Sequence, residues 1–548
     1  MGRISAIVML TLAVGFGFLA VACGSEGDSE SSKDGGDGGG SVGGPGTGPL
    51  MVETTFLPSI LAGVNFNLQL RAKGGTGNYS WKLVRGAFSN GLSMEPNGLI
   101  VGAPRVTGSW NIVIELDDGE TQILAPYTLE VFSAIGDPQL EAQMQTLLST
   151  INTGPLRPQD VPVLDPNLVE LGRLLFFDKE LSGTRDVACA TCHHPSNNSG
   201  DRLNLSIGVG GTGGVGPGRD HPAKIFIPRN SPPLFNLHKV HELFWDVRVN
   251  SLPPSSPGGP HPTNTPEGSI DLETVEALTL FPIVDFREMR GTGHALDGLN
   301  NEEYRLALIQ RLSQIPEYVT RFEDIYGPGG LTVYNMARAL GAWLRSQMYI
   351  DSAWDRYQRG DINALTDVQK RGAFLFFGRA GCPACHVGQM LSNFTLHNIG
   401  IPQFGPGQGN GPSGTEDFGG ENTVNNPIDR YAFRVSPLRN VAFTGPYMHN
   451  GAFETLEEVM LHYRNKNLST TNYTGWNMKQ AADLAPTLLP SNLVLSNVSV
   501  VLLSVPSDLN IQEITEIRHF MEALTDPEAI NRTHDIPDSV PSGLPVDR

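Results

Sequence analysis

Gly172-Arg173-Leu174-Leu175-Phe176-Phe177 and Gly372-Ala373-Phe374-Leu375-Phe376-Phe377 are near-copies, and each is soon followed by a Cys-x-x-Cys-His motif. The first motif is Cys189-Ala190-Thr191-Cys192-His193 and the second is Cys382-Pro383-Ala384-Cys385-His386. From Asp165 onward the chain therefore looks duplicated, with an apolar helix ahead of each motif. The spacing has a chemical reason. Two thiols three positions apart can form thioethers with the two vinyl groups of one haem, and the adjacent His then lies beneath the ring and offers its imidazole to the iron. Zinc sites and dithiol redox motifs use similar residues. A zinc ribbon has its Cys pairs far closer together, however, and a thioredoxin-like motif needs a βαβ context that is absent here. The motifs predict two covalently bound haem c groups, one on Cys189, Cys192 and His193 and one on Cys382, Cys385 and His386.

Outward from the repeat the helical period persists. Leu140, Met144, Leu147, Leu148 and Ile151 share one face behind the helix-starting pair Asp137-Pro138. Ile514, Ile517, Met521 and Leu524 form the apolar face of a final helix. Before residue 137 the period changes to two. Phe66, Leu68, Leu70 and Ala72 alternate with polar residues, as do Tyr79, Trp81 and Leu83, then Trp110, Ile112, Ile114 and Leu116, then Tyr127, Leu129 and Val131. Short alternating runs separated by Gly- and Asp-rich turns predict an antiparallel sandwich. The stretch from Gly91 to Gly108 resembles the Ig-like repeats of bacterial surface proteins. It contains no catalytic cluster and reads as a spacer, with adhesion or partner docking as the alternative.

The N-terminus reads as an export signal. Arg3 supplies a positive start, Ile4 to Ala22 is apolar and uncharged, and Leu19-Ala20-Val21-Ala22-Cys23-Gly24 resembles a bacterial lipobox in which Cys23 is lipidated. An ordinary cleaved signal or a retained anchor are the alternatives. Ser25 to Gly48 is rich in Ser, Gly and Asp and suits a disordered tether. The expected location is the periplasm or cell envelope, with the protein held to the bacterial outer membrane only through its N-terminal lipid.

The 548 residues suggest about three domains at roughly 100–200 residues each. A hydrophobic fraction of 39% is enough for packed cores. A net charge of -19 argues against a nucleic-acid binder, which would show a basic stripe. The five Cys divide as Cys23 and the two motif pairs.

Around the motifs, from about Asp165 to Pro527, the sequence resembles the bacterial di-haem cytochrome c peroxidases, including the MauG-type branch. The resemblance is carried, in family order, by Leu171 to Asp178, Arg229-Asn230-Ser231-Pro232-Pro233, Phe244-Trp245-Asp246-Val247-Arg248, Phe433 to Asn440, Thr444 to Gly451, and Leu524-Thr525-Asp526-Pro527. It implies a mainly α fold, two cytochrome c-like helical domains meeting at an interface, here preceded by a small all-β Ig-like sandwich. The expected layout is a signal peptide at 1–22, a tether at 23–52, the sandwich at 53–134, and a helical connector at 135–164. The peroxidatic haem domain would follow at 165–360, the electron-transfer haem domain at 361–530 and a tail at 531–548.

The resemblance also implies reduction of hydrogen peroxide to water with electrons from a small donor such as a cytochrome c or cupredoxin. His193 and His386 would be the proximal iron ligands. Glu288, in Pro282 to Met289, matches the family's catalytic Glu over the first haem, and Trp245 matches its inter-haem Trp. Leu278 stands where the family often has a helpful Gln. Asn230, Thr444 and Pro446 match the family's calcium site, an Asn side chain and two carbonyls. The sixth ligand of the second haem falls on Tyr463, as in the MauG type, with Met460 and His462 as competitors. A thioether would raise that haem's potential and a phenolate lower it. His221 lies one position off the place of a second ligand to the first haem and His194 is too near His193 to reach the opposite face easily, so the first haem is expected to be open, with His221 as the alternative, and His449 reads as structural. A Pro-, Gly- and Ser-rich stretch between Leu252 and Glu273 is either a loop near the peroxide entrance or an idle insertion. The family often dimerises, which leaves a homodimer open. The competing functions are a MauG-like oxidase of a protein substrate, a non-catalytic di-haem electron carrier, and surface attachment through the sandwich.

Overall fold

The computed structural model describes residues 50–548 apart from 53, 55, 56, 58, 59, 133–136, 251–271 and 505–507. The expected signal peptide, Cys23, nearly all of the tether and most of the 252–273 stretch lie outside the described residues. Among the described residues no helix is long and apolar enough to cross a membrane.

The period-two runs form strands: β1 (Ile60–Leu61), β2 (Phe66–Gln69), β3 (Ser80–Arg85), β4 (Leu92–Met94), β5 (Leu99–Gly102), β6 (Gly108–Asp117) and β7 (Gln122–Phe132). One sheet has the order β1-β7-β6-β3 and a second the order β2-β5-β4. Alternation places Trp81, Ile112, Ile114, Leu116, Leu129 and Val131 of the first sheet in one core with Ile100 of the second. The expected purely antiparallel pairing needs correction, because β1 runs parallel to β7, with Ile60 opposite Val131. A parallel neighbour needs a long crossover, and the rest of the module supplies it between these two strands.

The duplicated hexamers form matched helix pairs. Asp165 caps α2 (Pro166–Phe177), its carboxylate accepting from Asn167 N, and α2 packs on α4 (Val333–Ser346). Thr366 and Gln369 form a capping box on α5 (Asp367–Phe377), which packs on α7 (Ile511–Ala523). The repeated glycine is what lets each pair approach. A Cβ on Gly172 would lie 1.9 Å from the Ala339 carbonyl oxygen and 3.0 Å from Trp343 Cβ. A Cβ on Gly372 would lie 1.9 Å from the Glu516 carbonyl oxygen and 3.0 Å from Phe520 Cβ. Each buried Phe or Leu of these hexamers contributes on the order of 1.5–3 kcal/mol of burial, and Leu174, Leu175, Phe176, Phe177, Phe376 and Phe377 are all buried.

The flanking segments are drawn into these cores. The connector helix α1 (Pro138–Leu148) buries Leu140 and Met144 in the second core, alongside Trp354 and Tyr357 from just before residue 360. Lys370 Nζ meets Glu141 at 2.6 Å to fix it there. The tail returns to the first domain. Val540 joins its core, Ser542 Oγ donates to Asp178 at 2.7 Å, and Asp547 accepts from Thr191 Oγ1 at 2.6 Å and meets Lys179 at 2.6 Å. Between segments near the first and second motifs, buried Arg229 bridges Asp246 (2.8 Å) and Asp417 (2.7 Å). Burial alone would raise both carboxyls, but Arg229 outweighs it and holds them below their ordinary values.

Candidate active site and haem-binding cavities

The first motif forms a single turn, α3 (Cys189–Cys192), with His193 N donating to the Cys189 carbonyl at 3.0 Å. Ser231 Oγ lies 3.0 Å from His193 Nδ1. Burial pushes the His193 pKa down to about 4, so the ring is neutral and able to ligate. Burial also pushes the Cys189 thiol up to about 12 and Cys192 upward. Redox Cys-x-x-Cys pairs work through a depressed thiol pKa, so these thiols do not suit dithiol exchange. Among the described residues no group of three or more His, Cys, Asp or Glu side chains gathers as a metal cluster.

Two other histidines lie near this motif, and His194 has both ring nitrogens in polar contacts. His194 places Nδ1 2.7 Å from Ser196 Oγ and Nε2 3.3 Å from the Asp547 carbonyl. His221 accepts from Ala223 N at 3.0 Å through Nδ1, and its Nε2 lies against Gly210. Leu278 packs against the first core, an apolar contact in place of a polar helper.

Glu288 sits in a π-helical turn, Phe286–Arg290, closed by Gly291 N donating to the Phe286 carbonyl at 3.1 Å. Such turns are rare and concentrate at functional sites. Asp285 caps it, accepting from Arg287 N at 2.8 Å and Glu288 N at 3.2 Å. Two outside donors hold it: Gly183 N to the Met289 carbonyl at 2.8 Å and Val209 N to the Glu288 carbonyl at 3.2 Å. Gly208 makes room, since a Cβ there would lie 2.0 Å from the Arg287 carbonyl oxygen. Glu288 lines a cavity of about 580 Å³ together with Arg248, Asp285 and Arg290. Burial first, and Asp285 second, push its carboxyl up to about 7 against the pull of Arg248, Arg287 and Arg229. Its charge reaches Cys189 and Cys192, raising both thiols further.

The second motif itself lines a cavity, of about 270 Å³, with Cys382, Cys385, His386, Trp245, Met460 and Tyr463 among its residues, whereas Cys189, Cys192 and His193 are not among those lining the cavity of Glu288. His386 Nδ1 lies 2.8 Å from the Leu391 carbonyl, which fixes the ring and leaves Nε2 for a ligand. Burial pushes its pKa down to about 4. Tyr463 and Met460 lie one turn apart on α6 (Leu456–Arg464), and burial raises the Tyr463 hydroxyl above its ordinary value. His462 drops out as a competitor, because its Nε2 lies 2.7 Å from the Ile399 carbonyl and its Nδ1 3.1 Å from Ser469 Oγ.

Trp245 lines this cavity from the first domain, its Nε1 donating to the Asn230 carbonyl at 3.0 Å. Asn230, Thr444 and Pro446 line it too. Asn230 Nδ2 donates to the Leu203 carbonyl at 2.8 Å and lies 3.3 Å from that of Asn204. His449 is buried and stacks on Phe433 at 3.5 Å, a packing role.

Both motifs therefore pair thiols with a neutral imidazole, and the second faces an apolar cavity, which is what a covalently held haem requires. The sequence left several residues unnoticed. Arg229 with Asp246 and Asp417, and Arg434 in the second cavity, acquire their roles only from contacts far apart in the chain. The one local signal was that Arg229, Asp246 and Arg434 stand inside the segments that carry the family resemblance.

A family model described as di-haem cytochrome c peroxidase matches residues 166–363. The chain is 30% identical over 334 residues to a cytochrome-c peroxidase of Pseudomonas sp. (strain SCT), covering 56% of this chain and 76% of that protein. It is 30% identical over 316 residues to the methylamine utilization protein MauG of Methylorubrum extorquens, covering 56% and 72%. It is 32% identical over 293 residues to the cytochrome c551 peroxidase of Pseudomonas aeruginosa, covering 53% and 70%. The chain belongs to the di-haem cytochrome c peroxidase and MauG family of oxidoreductases, for which two covalently bound haem c groups are implied.

Proposed function

We propose that this chain is an exported di-haem peroxidase. It takes two electrons from a small donor protein and two protons, and converts one hydrogen peroxide into two waters. The observation that carries the reading is Glu288, a carboxyl with a pKa raised to about 7, lining a cavity on a firmly held turn. A group near neutrality can both accept and return a proton, the condition for efficient acid–base catalysis. Cys189, Cys192 and His193 would hold a haem, which would supply the redox chemistry for reducing peroxide. Glu288 takes a proton from one peroxide oxygen and delivers it to the other, the one that leaves. Asp285 and the clamp from Gly183 and Val209 keep the carboxyl in place while it does so.

On the other side, His386 would hold the electron-transfer haem and Tyr463 would offer its hydroxyl oxygen to the same iron, a reading supported by the cavity the two residues share. Trp245 spans the approach from the first domain. Asn230, whose Nδ2 is spent on carbonyls, keeps its Oδ1 for calcium, with the Thr444 and Pro446 carbonyls and waters completing the shell. Cys23 carries the lipid, and the β module is an Ig-like spacer between it and the haem domains.

The test is peroxide-dependent oxidation of a reduced cytochrome c by the haem-loaded protein. Glu288→Gln should retain both haems and lose turnover by roughly 10²–10⁴-fold, the usual worth of a positioned acid–base group. Unchanged turnover would refute the assignment. A second reading, a MauG-like oxidase of a protein substrate, is favoured by Tyr463 lining the cavity with His386. It would show in the same assay as consumption of peroxide with little oxidation of the cytochrome by the unmodified protein.

A further inference from the structure

The cavity at the second motif carries an unbalanced charge. Neither Asp nor Glu is among its lining residues, yet Arg434 and Arg439 are. Arg439 is answered from behind, with Nη1 2.6 Å from Asp355 Oδ2 and Nε donating to the Gln389 carbonyl at 2.6 Å, although its Nη2 is also buried without a hydrogen-bond partner, so what separates the two is the ion pair. Among the described residues Arg434 has no carboxylate at ion-pair distance, and the charge of Glu242 reaches it only from farther off. Its Nε donates to the Phe244 carbonyl at 3.1 Å and its backbone N to the Trp245 carbonyl at 2.8 Å, while its Nη1 is buried without a hydrogen-bond partner. The residue is 9% exposed, and burial pulls its pKa down to about 10. A buried guanidinium with unspent donors is costly unless an anion meets it, and Arg binds carboxylates especially well.

We propose that Arg434 is the counter-ion for a propionate carboxylate of the haem on Cys382 and Cys385, and that it raises that haem's reduction potential while fixing the Phe244–Trp245 segment. The inference rests on the reading of Cys382, Cys385 and His386 as a haem site. The two roles share one side chain. Phe244 is held at φ +63°, a left-handed conformation that non-glycine residues seldom adopt. The Arg434 hydrogen bond to its carbonyl helps keep that turn, and the turn sets Trp245 at the cavity wall. A fixed cation in a low-dielectric site favours the haem with the extra electron. Arg434 is thus a positioning and tuning residue, distinct from the proton-handling Glu288.

The experiment uses the full haem-loaded protein with Arg434→Gln and Arg434→Lys. Haems are first counted from the absorbance of their pyridine complexes, and each midpoint is then measured by spectroelectrochemical titration. The second haem is identified as the one missing from a Cys382→Ser/Cys385→Ser variant. At the wild-type midpoint, Arg434→Gln should lower the ferrous-to-ferric ratio of the second haem at least tenfold, a 59 mV shift for a one-electron couple. The first haem should be unmoved and Arg434→Lys should recover most of the loss. Two haems with unchanged midpoints, equal shifts on both, or a Lys variant no better than Gln would overturn the proposal. If the Gln variant sheds the second haem, retention of that haem in the Lys variant supports the proposal and its loss from both overturns it. Fewer than two haems on the wild-type chain would instead sink the haem reading beneath it.

Discussion

Behind the first motif, Gly172 packs against Ala339 and Trp343; behind the second, Gly372 packs against Glu516 and Phe520 at the same distances. The helix crossing is one solution used twice. The two cavities diverge. The cavity holding Glu288 has three carboxylates, Asp285, Glu288 and Asp297, among its lining residues. The cavity holding His386 has none and offers Arg434, Tyr463 and Trp245 instead. A proton-coupled reaction needs a carboxyl that titrates near the working pH, whereas electron transfer gains from a site where no proton need move. The difference teaches that one helix crossing can serve two places in the chain while the residues lining each cavity differ in charge.

The comparison is most exposed to pH. The carboxyl of Glu288 is raised to about 7, and it must be ionised to accept a proton. Peroxide kcat/KM should therefore fall about tenfold per unit as pH drops below that value and level off above it. The Glu288→Gln protein should lose this limb. Linkage gives a second sign. A carboxyl whose folded pKa lies above its unfolded one favours folding most fully below the unfolded value and loses that contribution as pH rises through about 7. Glu288→Gln should accordingly gain thermal stability relative to wild type on the alkaline side. A parallel stability profile of the two proteins from pH 6 to about pH 9 would remove the carboxyl from its raised-pKa role.

A smaller effect tests the shared half of the comparison. Gly172→Ala and Gly372→Ala each push a methyl into a backbone carbonyl at 1.9 Å, which packed helices cannot relieve by a side-chain move. Overpacking of this kind costs about 1–3 kcal/mol. The two substitutions should lower the denaturant midpoint of the haem-loaded protein by similar amounts. A large loss from one and none from the other would show that the crossings are not equivalent.

How much of this could be read from the chain alone follows from distance along it. The Cys-x-x-Cys-His motifs and the period-two strands are local patterns, so Cys189, His386, Trp81 and Ile114 could be placed from spacing. Glu288 was legible only through its motif, since nothing in Asp285-Phe286-Arg287-Glu288 announces a π-helical turn held by Gly183 and Val209. Arg229 meets Asp417 and Arg434 meets Phe244 across 188 and 190 positions, and no periodicity records such pairings. The parallel pairing of β1 with β7 was hidden for the same reason. So was the return of the tail to α3, where Asp547 meets Thr191 across 356 positions.

The smallest expected effect concerns what braces each helix pair from outside. The tail covers the first motif through Asp547, whereas the second helix pair is braced by the β module. Glu130 on β7 meets His519 Nε2 at 2.8 Å, Glu522 meets its Nδ1 at 3.0 Å, and Arg518 lies 3.6 Å from Glu130 and 2.8 Å from Glu457 of α6. His519 is 1% exposed. Burial would lower its pKa, but the hydrogen bonds of Glu130 and Glu522 outweigh it and raise the value, while His519 lowers that of Glu130. A raised imidazole contributes fully below its ordinary value of 6.5 and is lost as pH rises through its folded value. A lowered carboxyl contributes above its ordinary 4.5 and is lost as pH falls through its folded value. The clamp is therefore strongest between these two ordinary values. Glu130→Gln should destabilise the protein by about 1 kcal/mol in that window and by less at alkaline pH. Hydrogen exchange along β7 should rise with it, while amides around α3, braced by the tail, should not change. Equal loosening of both regions would mean that the two haem domains, despite their separate braces, open as one unit.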